Sequence, residues 1–333
     1  MLANERSLSA GAPNRRSPGR RLEKSPLAGL VLGALLAWPG LWASSLAGDT
    51  PGSDSVAAVS DSAGLLVALV ADSAAAEASA DPGGSSDSTA ASTYVPREVP
   101  HPRPFQVGER LKFSIQYGPI KAGTSTLSVE AVEQVGDHSC YRFVSSTQSL
   151  SVFSAFYKVK DRIVSLADVR YLLTRRTSKT LREGGYKLDQ EIEWNQEAQR
   201  LRYGNGEDVE LPPGARDVLA AMYYTRTLPL KVGDAIRMPT HDNKKSYPIV
   251  IEVQGEDTVE TPLGKFDCWV VEPKLETPGL FNRTGTLKVW LTQDEERTPV
   301  LMQSAVKVGA ISAVLIERER GSGGPDPDRA GVE

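Results

Sequence analysis

Apolar and polar residues alternate along several short segments of this chain, and this period of two constrains the fold more than any other feature. Residues 111–117 read LKFSIQY, 247–253 read YPIVIEV and 287–291 read LKVWL. In a pleated strand such alternation places the apolar side chains on one face. Turn signals separate the segments: Gly118-Pro119, Gly136-Asp137, Gly184-Gly185, Gly204-Asn205-Gly206 and Gly264-Lys265. The pattern predicts an all-β domain, an antiparallel meander that forms a barrel or a strongly curved half-barrel.

A short helix interrupts the strands. The segment VLAAMYYTRTL follows Asp217, whose carboxylate can accept hydrogen bonds from the free amides of a first helical turn. Pro229 ends the helix, because proline has no amide hydrogen and clashes with the preceding turn. We therefore expect one short helix within the β domain.

One stretch of the sequence recurs, which suggests a duplication. PFQVGERLKF at 104–113 returns 125 residues later as PLKVGDAIRM at 229–238. Further matches share an offset of 128: Gly136 with Gly264, Cys140 with Cys268, Phe153 with Phe281, Lys160 with Lys288 and Leu173 with Leu301. Identity is low, so chance within a strand-rich composition is the alternative to duplication. Duplication would give two similar meanders joined by the helix.

The first 47 residues have the features of an export signal. These are a basic region (Arg15, Arg16, Arg20, Arg21 and Lys24), an apolar run (Leu27–Leu36), a helix breaker (Pro39-Gly40) and small residues at Ser45 and Ala47. They predict cleavage before Gly48 and a periplasmic or cell-envelope location. An uncleaved membrane anchor is the alternative, since residues 26–47 carry no charge and are about long enough to span a bilayer.

Composition divides the rest of the chain. Residues 48–103 are rich in Ala, Ser, Asp and Pro and have few apolar side chains to bury, which predicts a disordered spacer. Residues 104–320 form the expected β-rich domain, and residues 321–333 a disordered tail. The domain carries 29 basic and 29 acidic residues. This balance argues against a nucleic-acid partner, which requires a basic face.

Several segments resemble a family of exported bacterial proteins catalogued as domain of unknown function 3108. They are VGERLKFSIQYGPIKAGTSTLSVE, FSAFYKVKDRIVS, LREGGY, MYYTRTLPLKVGD, TPLGKFDCWVVEP and VWLTQDEERTPVLM, in this order. The resemblance covers nearly all of 104–320. It implies an exported β-rich domain in a bacterial envelope, and it carries over no established activity and no catalytic residues.

The sequence offers little for catalysis. It has no GxSxG, HExxH or phosphate-loop motif, and its histidines, His101, His138 and His241, have no metal-ligand spacing. We therefore expect no enzyme activity, cofactor or metal. His241-Asp242 in THDNKK predicts a solvated turn, with a hydrolase role as the alternative.

The densest polar motif, FYKVKDRIVS, suggests a polar anchor. Tyr157 and Asp161 share an otherwise apolar strand face, and a carboxylate there needs a partner, for which Arg175 and Arg182 are candidates. Such an anchor could hold a ligand head group inside a cavity, or it could be a structural ion pair that fixes strand register. LREGGY at 181–186 predicts a hairpin turn, with a mobile lid as the alternative.

Some strands are apolar on both faces, so a helix or second sheet must cover them, or they line a hydrophobic cavity. The candidate cavity residues are Phe113, Ile115, Leu287 and Val289. The two cysteines, Cys140 and Cys268, occupy matching places in the repeat. In an oxidising compartment they could form a disulfide if both lie near a pseudo-twofold axis. Two buried thiols are the alternative that we favour.

These features favour a binding function. We expect an envelope protein that holds a lipid or other apolar ligand or assists envelope assembly, with other envelope proteins as possible partners. The alternative is a non-catalytic interaction module with a solid core, displayed on the spacer. Membrane anchoring is expected only if the signal stays uncleaved.

The export signal predicts the mature amino terminus. Protein recovered from its host should begin at or near Gly48, because signal peptidase reads the small residues at Ser45 and Ala47. Amino-terminal sequencing measures this directly. Cytoplasmic protein that retains Met1 would contradict the assignment.

Overall fold

The computed structural model describes residues 96–154, 157–275, 287–305 and 309–322, all within one compact unit that spans Ser55–Glu333. The signal expected at 1–47, most of the spacer expected at 48–103 and most of the tail expected at 321–333 lie outside the described residues. Among the described residues, no helix is long and apolar enough to cross a bilayer.

A single antiparallel sheet contains all the strands of the described residues. They are β1 (Arg110–Tyr117), β2 (Ile120–Val135), β3 (His138–Ser149), β4 (Lys160–Asp168), β5 (Thr174–Glu183), β6 (Tyr186–Asn195), β7 (Arg200–Tyr203), β8 (Asp208–Glu210), β9 (Ala235–Asp242), β10 (Lys245–Thr261), β11 (Gly264–Leu275), β12 (Leu287–Thr292), β13 (Pro299–Ala305) and β14 (Ala310–Glu319). The helices are α1 (Ser151–Ser154) and α2 (Val218–Arg226). The predicted all-β meander is confirmed, whereas α1 was not predicted.

The sheet consists of two meanders that meet at its centre. Its strand order is β8-β7-β6-β5-β4-β3-β2-β1-β14-β13-β12-β11-β10-β9, so each half is a run of sequential neighbours and β1 pairs with β14. The first half has eight strands and the second has six. Helix α2 follows β8 and precedes β9, and therefore connects the two outer edges of the sheet.

The recurring sequence forms the same turn before β1 and before β9. Gly108 and Gly233 have φ angles of 93° and 90°, where L residues other than glycine are strained. The amide of Gly108 donates to the Val129 carbonyl over 2.8 Å, and that of Gly233 donates to the Val253 carbonyl over 2.9 Å. Both turns thus tie the start of one strand to the next strand, which is why the glycine recurs.

The repeat continues into the next hairpins. The register of β2 shifts after Val129 and that of β10 shifts after Val253. Val129 pairs with Phe143, and Val253 pairs with Val271, which gives an offset of 128 (271 − 143) between β3 and β11.

The match of Cys140 with Cys268, at the same offset, is therefore structural. The offset changes to 124 between the next two strands, β4 and β12. Ser165 pairs with Phe143 in the first half and Val289 pairs with Val271 in the second, so Ser165 corresponds to Val289 (289 − 165). The proposed match of Lys160 with Lys288 is therefore wrong. Phe281 lies outside the described residues.

The hydrogen-bond ladder does not close into a ring. If two halves of six strands each formed a closed ring, β1 would pair with β14 at one junction and β6 with β9 at the other. In this structure β6 pairs with β7 instead of β9. The chain after β8 crosses to β9. There the amide of Arg216 donates to the Pro239 carbonyl over 3.2 Å, and the amide of His241 donates to the Arg216 carbonyl over 3.0 Å. We call this junction between the two halves the seam.

Helix α2 packs against the concave face of the sheet. Its amino-terminal cap is Asp217, as predicted, and nearly all its residues are buried. The ring of Tyr223 stacks on Phe143 with centroids 3.9 Å apart, and Phe105 packs edge-on against both. Apolar burial of this kind is the main force that holds a short helix in place.

The domain begins earlier than expected. Val99 is buried in the main core, and its amide donates to the Arg170 carbonyl over 2.9 Å. The boundary placed at residue 104 is therefore five residues or more too late (104 − 99). Composition favoured a disordered spacer there, but could not show that this segment packs against the turn after β4.

The repeated turn predicts a stability effect. Replacing Gly233 by alanine should lower the free energy of unfolding by about 1–3 kcal/mol, because the new side chain must adopt a φ near +90°. A Cβ at Gly233 meets no described atom within 4 Å, so the cost is backbone strain alone. Urea denaturation measures it. Gly185→Ala, which is equally open and does not require a positive φ, is the control and should not destabilise the domain.

Candidate functional site

Both ends of α2 are fixed by buried polar groups. At its amino end, one oxygen of Asp217 accepts hydrogen bonds from the hydroxyls of Ser165 (2.5 Å), Thr174 (3.2 Å) and Thr177 (2.9 Å), and the other accepts from the amide of Ala220 (2.8 Å). Burial raises the pKa of Asp217, and these donors oppose that change. Because both oxygens have partners, Asp217 anchors the helix and is a poor candidate for ligand binding.

At its carboxyl end, the guanidinium of Arg226 forms two hydrogen bonds with the carboxylate of Glu109, over 2.7 and 2.8 Å. It also donates to the carbonyls of Pro104 and Glu296, each over 3.0 Å. Both charged side chains are buried. A paired, bidentate arrangement of this kind is structural.

A second set of buried polar residues lies at the seam. The ammonium of Lys179 on β5 forms an ion pair with Oδ1 of Asp242 on β9, and both side chains are 4% exposed. Next to this pair, Nε2 of His241 lies 2.7 Å from the hydroxyl of Tyr203, and Nδ1 lies 2.8 Å from the hydroxyl of Ser246. We call these five residues the seam cluster.

The two faces of β9 contribute different parts of the cluster. Because side chains alternate along a strand, Thr240 and Asp242 share the inner face and His241 lies on the other. Tyr203 and Trp194 cover His241, the latter edge-on at 5.8 Å between ring centroids. His241 and Asp242 are buried, so the solvated turn predicted for THDNKK is wrong for these two residues.

The environment of His241 determines its chemistry. Burial lowers the pKa of His241 to about 4, an effect that Asp242 opposes and Lys179 reinforces. Burial also raises the pKa of Tyr203 to about 12. At neutral pH the cluster therefore holds a neutral imidazole and a protonated phenol. Ser246, His241 and Tyr203 form a row of hydrogen-bonding groups. Hydrolases place a carboxylate next to the histidine to stabilise its protonated form, whereas here that position is taken by the phenol of Tyr203. The imidazole of His241 is therefore a weak base.

Three inner-face polar atoms beside the cluster form what we call the polar patch: Thr240 Oγ1, Asp242 Oδ2 and Tyr247 Oη. Within the residues that the structure describes, none of these atoms has a hydrogen-bond partner. Thr240 is fully buried and Tyr247 is 7% exposed. Tyr247 pairs with Thr240 across the β9–β10 ladder, so the two hydroxyl groups lie on neighbouring positions of one face.

The polar patch adjoins an apolar wall. Ile249 and Ile251 follow Tyr247 on the same face of β10 and are buried in the main core. Leu287 and Val289, two of the predicted cavity residues, belong to the same core on β12. Phe113 is part of it on β1, and Ile115 is buried on the same strand.

The predicted polar anchor is arranged differently from the expectation. Asp161 is buried, but its Oδ1 accepts a hydrogen bond from the amide of Arg182 over 2.7 Å, and the Arg182 guanidinium binds Asp189 instead. The proposed ion pair between Asp161 and the Arg182 side chain is therefore wrong. Arg175 is also engaged elsewhere, with Asp168 and Glu197.

The segment LREGGY forms the predicted hairpin turn between β5 and β6. The amide of Gly184 donates to the Lys158 carbonyl over 2.8 Å. Tyr157 covers the turn so closely that a Cβ on Gly184 would lie 2.6 Å from its ring. Tyr157 therefore packs against the hairpin at the rim of the sheet.

The two cysteines do not form a disulfide in this structure. Both are buried free thiols, and they donate weakly to the carbonyls of His138 and Phe266. Five strands separate β3 from β11 in the sheet, and neighbouring strands lie about 4.8 Å apart. Equivalent positions in the repeat are therefore far apart, and the possible bridge is corrected to two buried thiols.

The sequence analysis named His241 and Asp242 but missed the other three residues of the seam cluster. Lys179, Tyr203 and Tyr247 carry no motif, and Lys179 meets Asp242 from 63 positions away. One usable signal existed. The repeat offset of 125 maps β1 (110–117) onto 235–242, which are the bounds of β9, so it places Thr240 and Asp242 in a strand.

Comparison with known proteins identifies a family. The sequence model of a family described as "Protein of unknown function (DUF3108)" matches residues 112–316. No curated protein sequence matches the chain.

Solved structures give weaker likenesses. A beta-barrel-like protein of domain of unknown function DUF1849 from Brucella abortus is 8% identical, with a TM-score of 0.44 over 64% of this chain and 98% of that one. A protein with a YmcC-like fold from Bacteroides fragilis is 14% identical, with a TM-score of 0.31 over 66% and 98%. At these TM-scores neither likeness carries an inference about this chain.

Burial of His241 predicts acid sensitivity. Its pKa is about 4 in the folded protein and near 6.5 when unfolded, so between these values the unfolded chain binds the extra proton. The free energy of unfolding should therefore fall by about 3 kcal/mol as the pH drops from 6.5 to 4. Urea titrations across this range should show that His241→Gln reduces the slope.

Proposed function

The chain belongs to the family of unknown function DUF3108, and we propose that it is an exported binding protein of the bacterial cell envelope that holds an amphipathic lipid inside its curved sheet. Its apolar part would lie along the wall formed by Ile249, Ile251, Leu287 and Val289. Its polar part would reach the polar patch.

The observation that carries this proposal is the polar patch. A buried polar atom without a hydrogen bond costs about 1–3 kcal/mol, and the patch places three such atoms on one face. An interaction module with a solid core gains nothing from this cost, and valine or phenylalanine would serve better at Thr240 and Tyr247. A ligand that hydrogen-bonds to the patch would recover the energy.

Exposed apolar residues near α1 support a route by which a lipid could reach the polar patch. Leu150 and Val152, at α1, are 40% and 71% exposed. They lie near the end of β5, because Val159 bridges to Glu183, the last residue of that strand. Lys179 of the seam cluster is four residues before Glu183, about 13 Å along the strand. The exposed apolar residues thus lie near the end of β5, the strand whose middle carries Lys179.

The alternative, an interaction module, rests on a different observation. The rings of Phe105, Phe143 and Tyr223 fill the space between α2 and the sheet. A core filled in this way throughout would leave no room for a lipid. The two proposed functions therefore make different predictions: a lipid-binding protein admits a ligand to the interior next to the polar patch, and an interaction module does not.

Native mass spectrometry of the protein purified gently from its host tests the proposal. We expect co-purified lipid. Tyr247→Phe should reduce lipid occupancy severalfold, because the patch loses one hydrogen-bonding group. The same variant should raise the stability of lipid-free protein by about 1 kcal/mol, because it removes a buried unpaired hydroxyl.

Tyr223→Phe is the matched control. The hydroxyl of Tyr223 is also buried without a partner among the described residues, but it lies on α2 beside Glu109 and Arg226. This variant should gain similar stability and keep its lipid. A lipid-free mass after gentle purification, together with no uptake of lipid probes, would favour the interaction module.

A further inference from the structure

We infer that the head group bound at the polar patch is a hydrogen-bond donor, a hydroxyl, amide or ammonium group, and that the site rejects anionic head groups such as phosphate and carboxylate. This inference deepens the proposed function and rests on it. It follows from which atoms of the patch lack partners and from the charges around them.

The open position on Asp242 requires a donor. Its Oδ1 is paired with Lys179, whereas its Oδ2 is buried and has no hydrogen-bond partner among residues 96–322 that the structure describes. An ionised carboxylate can only accept hydrogen bonds. A fully ionised phosphate or carboxylate head group has no hydrogen to offer, so it would leave Oδ2 unpaired and place two negative oxygens together.

The two hydroxyl groups complete a donor-accepting site. Thr240 Oγ1 and Tyr247 Oη can each accept a hydrogen bond, and each can also donate one. With Asp242 Oδ2 they give three acceptors on neighbouring positions of one buried face. A sugar-like hydroxyl pair, an amide or an ammonium group can donate to such a set.

The surrounding charges also disfavour an anion. The charge of Lys179 is already opposed by Asp242, and the exposed Lys245 pairs with Asp242 across the β9–β10 ladder. Glu183 lies further along the same face of β5, and Asp161 lies on the inner face of β4. The carboxylate of Asp217 at the helix cap also interacts electrostatically with Lys179, whose charge lowers the pKa of Asp217. Carboxylates therefore outnumber the ammonium groups of Lys179 and Lys245, which disfavours a buried anion.

Binding of four probes with the same dodecyl chain tests the inference. The full-length mature protein, stripped of lipid, is titrated below micelle-forming concentrations with dodecyl glucoside, dodecylamine, dodecanoic acid and dodecyl phosphate. Native mass spectrometry measures occupancy. We expect the glucoside or the amine to bind at least tenfold more tightly than either anion, and the better of the two identifies the donor as hydroxyl or ammonium.

Two variants of patch residues and one control variant test whether the preference for donor head groups comes from the polar patch. Asp242→Asn should bring the donor and anion affinities to within about threefold of each other, because the amide offers hydrogens of its own. Asp189→Asn, an exposed carboxylate on the outer face, should leave the preference unchanged. If Asp242→Asn fails to fold because Lys179 loses its partner, Thr240→Val keeps the ion pair and should weaken the donor probes alone, severalfold.

The outcomes separate the two proposals. Anionic probes that bind as tightly as the donors, or a preference that survives both patch variants, would overturn the donor inference and leave lipid binding intact. Failure of all four probes to bind would overturn the proposed function itself.

Discussion

The ion pair between Arg226 and Glu109 fixes the carboxyl end of α2 and joins the helix to both halves of the sheet. A guanidinium that is completely buried is tolerated only when it is paired, since removing one partner of such a pair costs about 3–5 kcal/mol. Glu109 belongs to the repeated turn before β1, and the Glu296 carbonyl that Arg226 also binds lies between β12 and β13. One side chain thus connects the helix with the first and second halves of the sheet.

That interaction also breaks the symmetry of the repeat. Glu109 and Asp234 hold equivalent places in the two turns, but there is one helix between them to serve both. Glu109 is buried against Arg226, whereas Asp234 is partly exposed and accepts a hydrogen bond from the amide of Lys231 over 3.1 Å. Helix α2 therefore pairs with one copy of the turn only, and the two halves also differ at their outer edges. The extra strands β7 and β8 and the seam lie there.

Local patterns predicted the parts of the fold that local forces determine. Alternation gave the strands, the cap at Asp217 gave the helix, and the recurring glycine gave a turn whose φ only glycine tolerates well. The polar run THDNKK was misjudged, because composition alone favours a turn while the strand pairing of β9 buries its first three residues. Asp161 was assigned a charged partner, yet it accepts from a backbone amide, which has no signal in side-chain chemistry.

The seam shows why the candidate site could not be read from strand patterns. Along the rest of the sheet, backbone pairing satisfies the main-chain polar groups. At the seam the ladder stops, and side-chain contacts between Lys179 and Asp242 and between Tyr203 and His241 hold the edges together. These contacts require polar residues on the inside, and polar residues there cannot all be satisfied by one another. The incomplete closure of a duplicated sheet is therefore sufficient to place hydrogen-bonding chemistry next to an apolar wall, where an amphipathic molecule can use both.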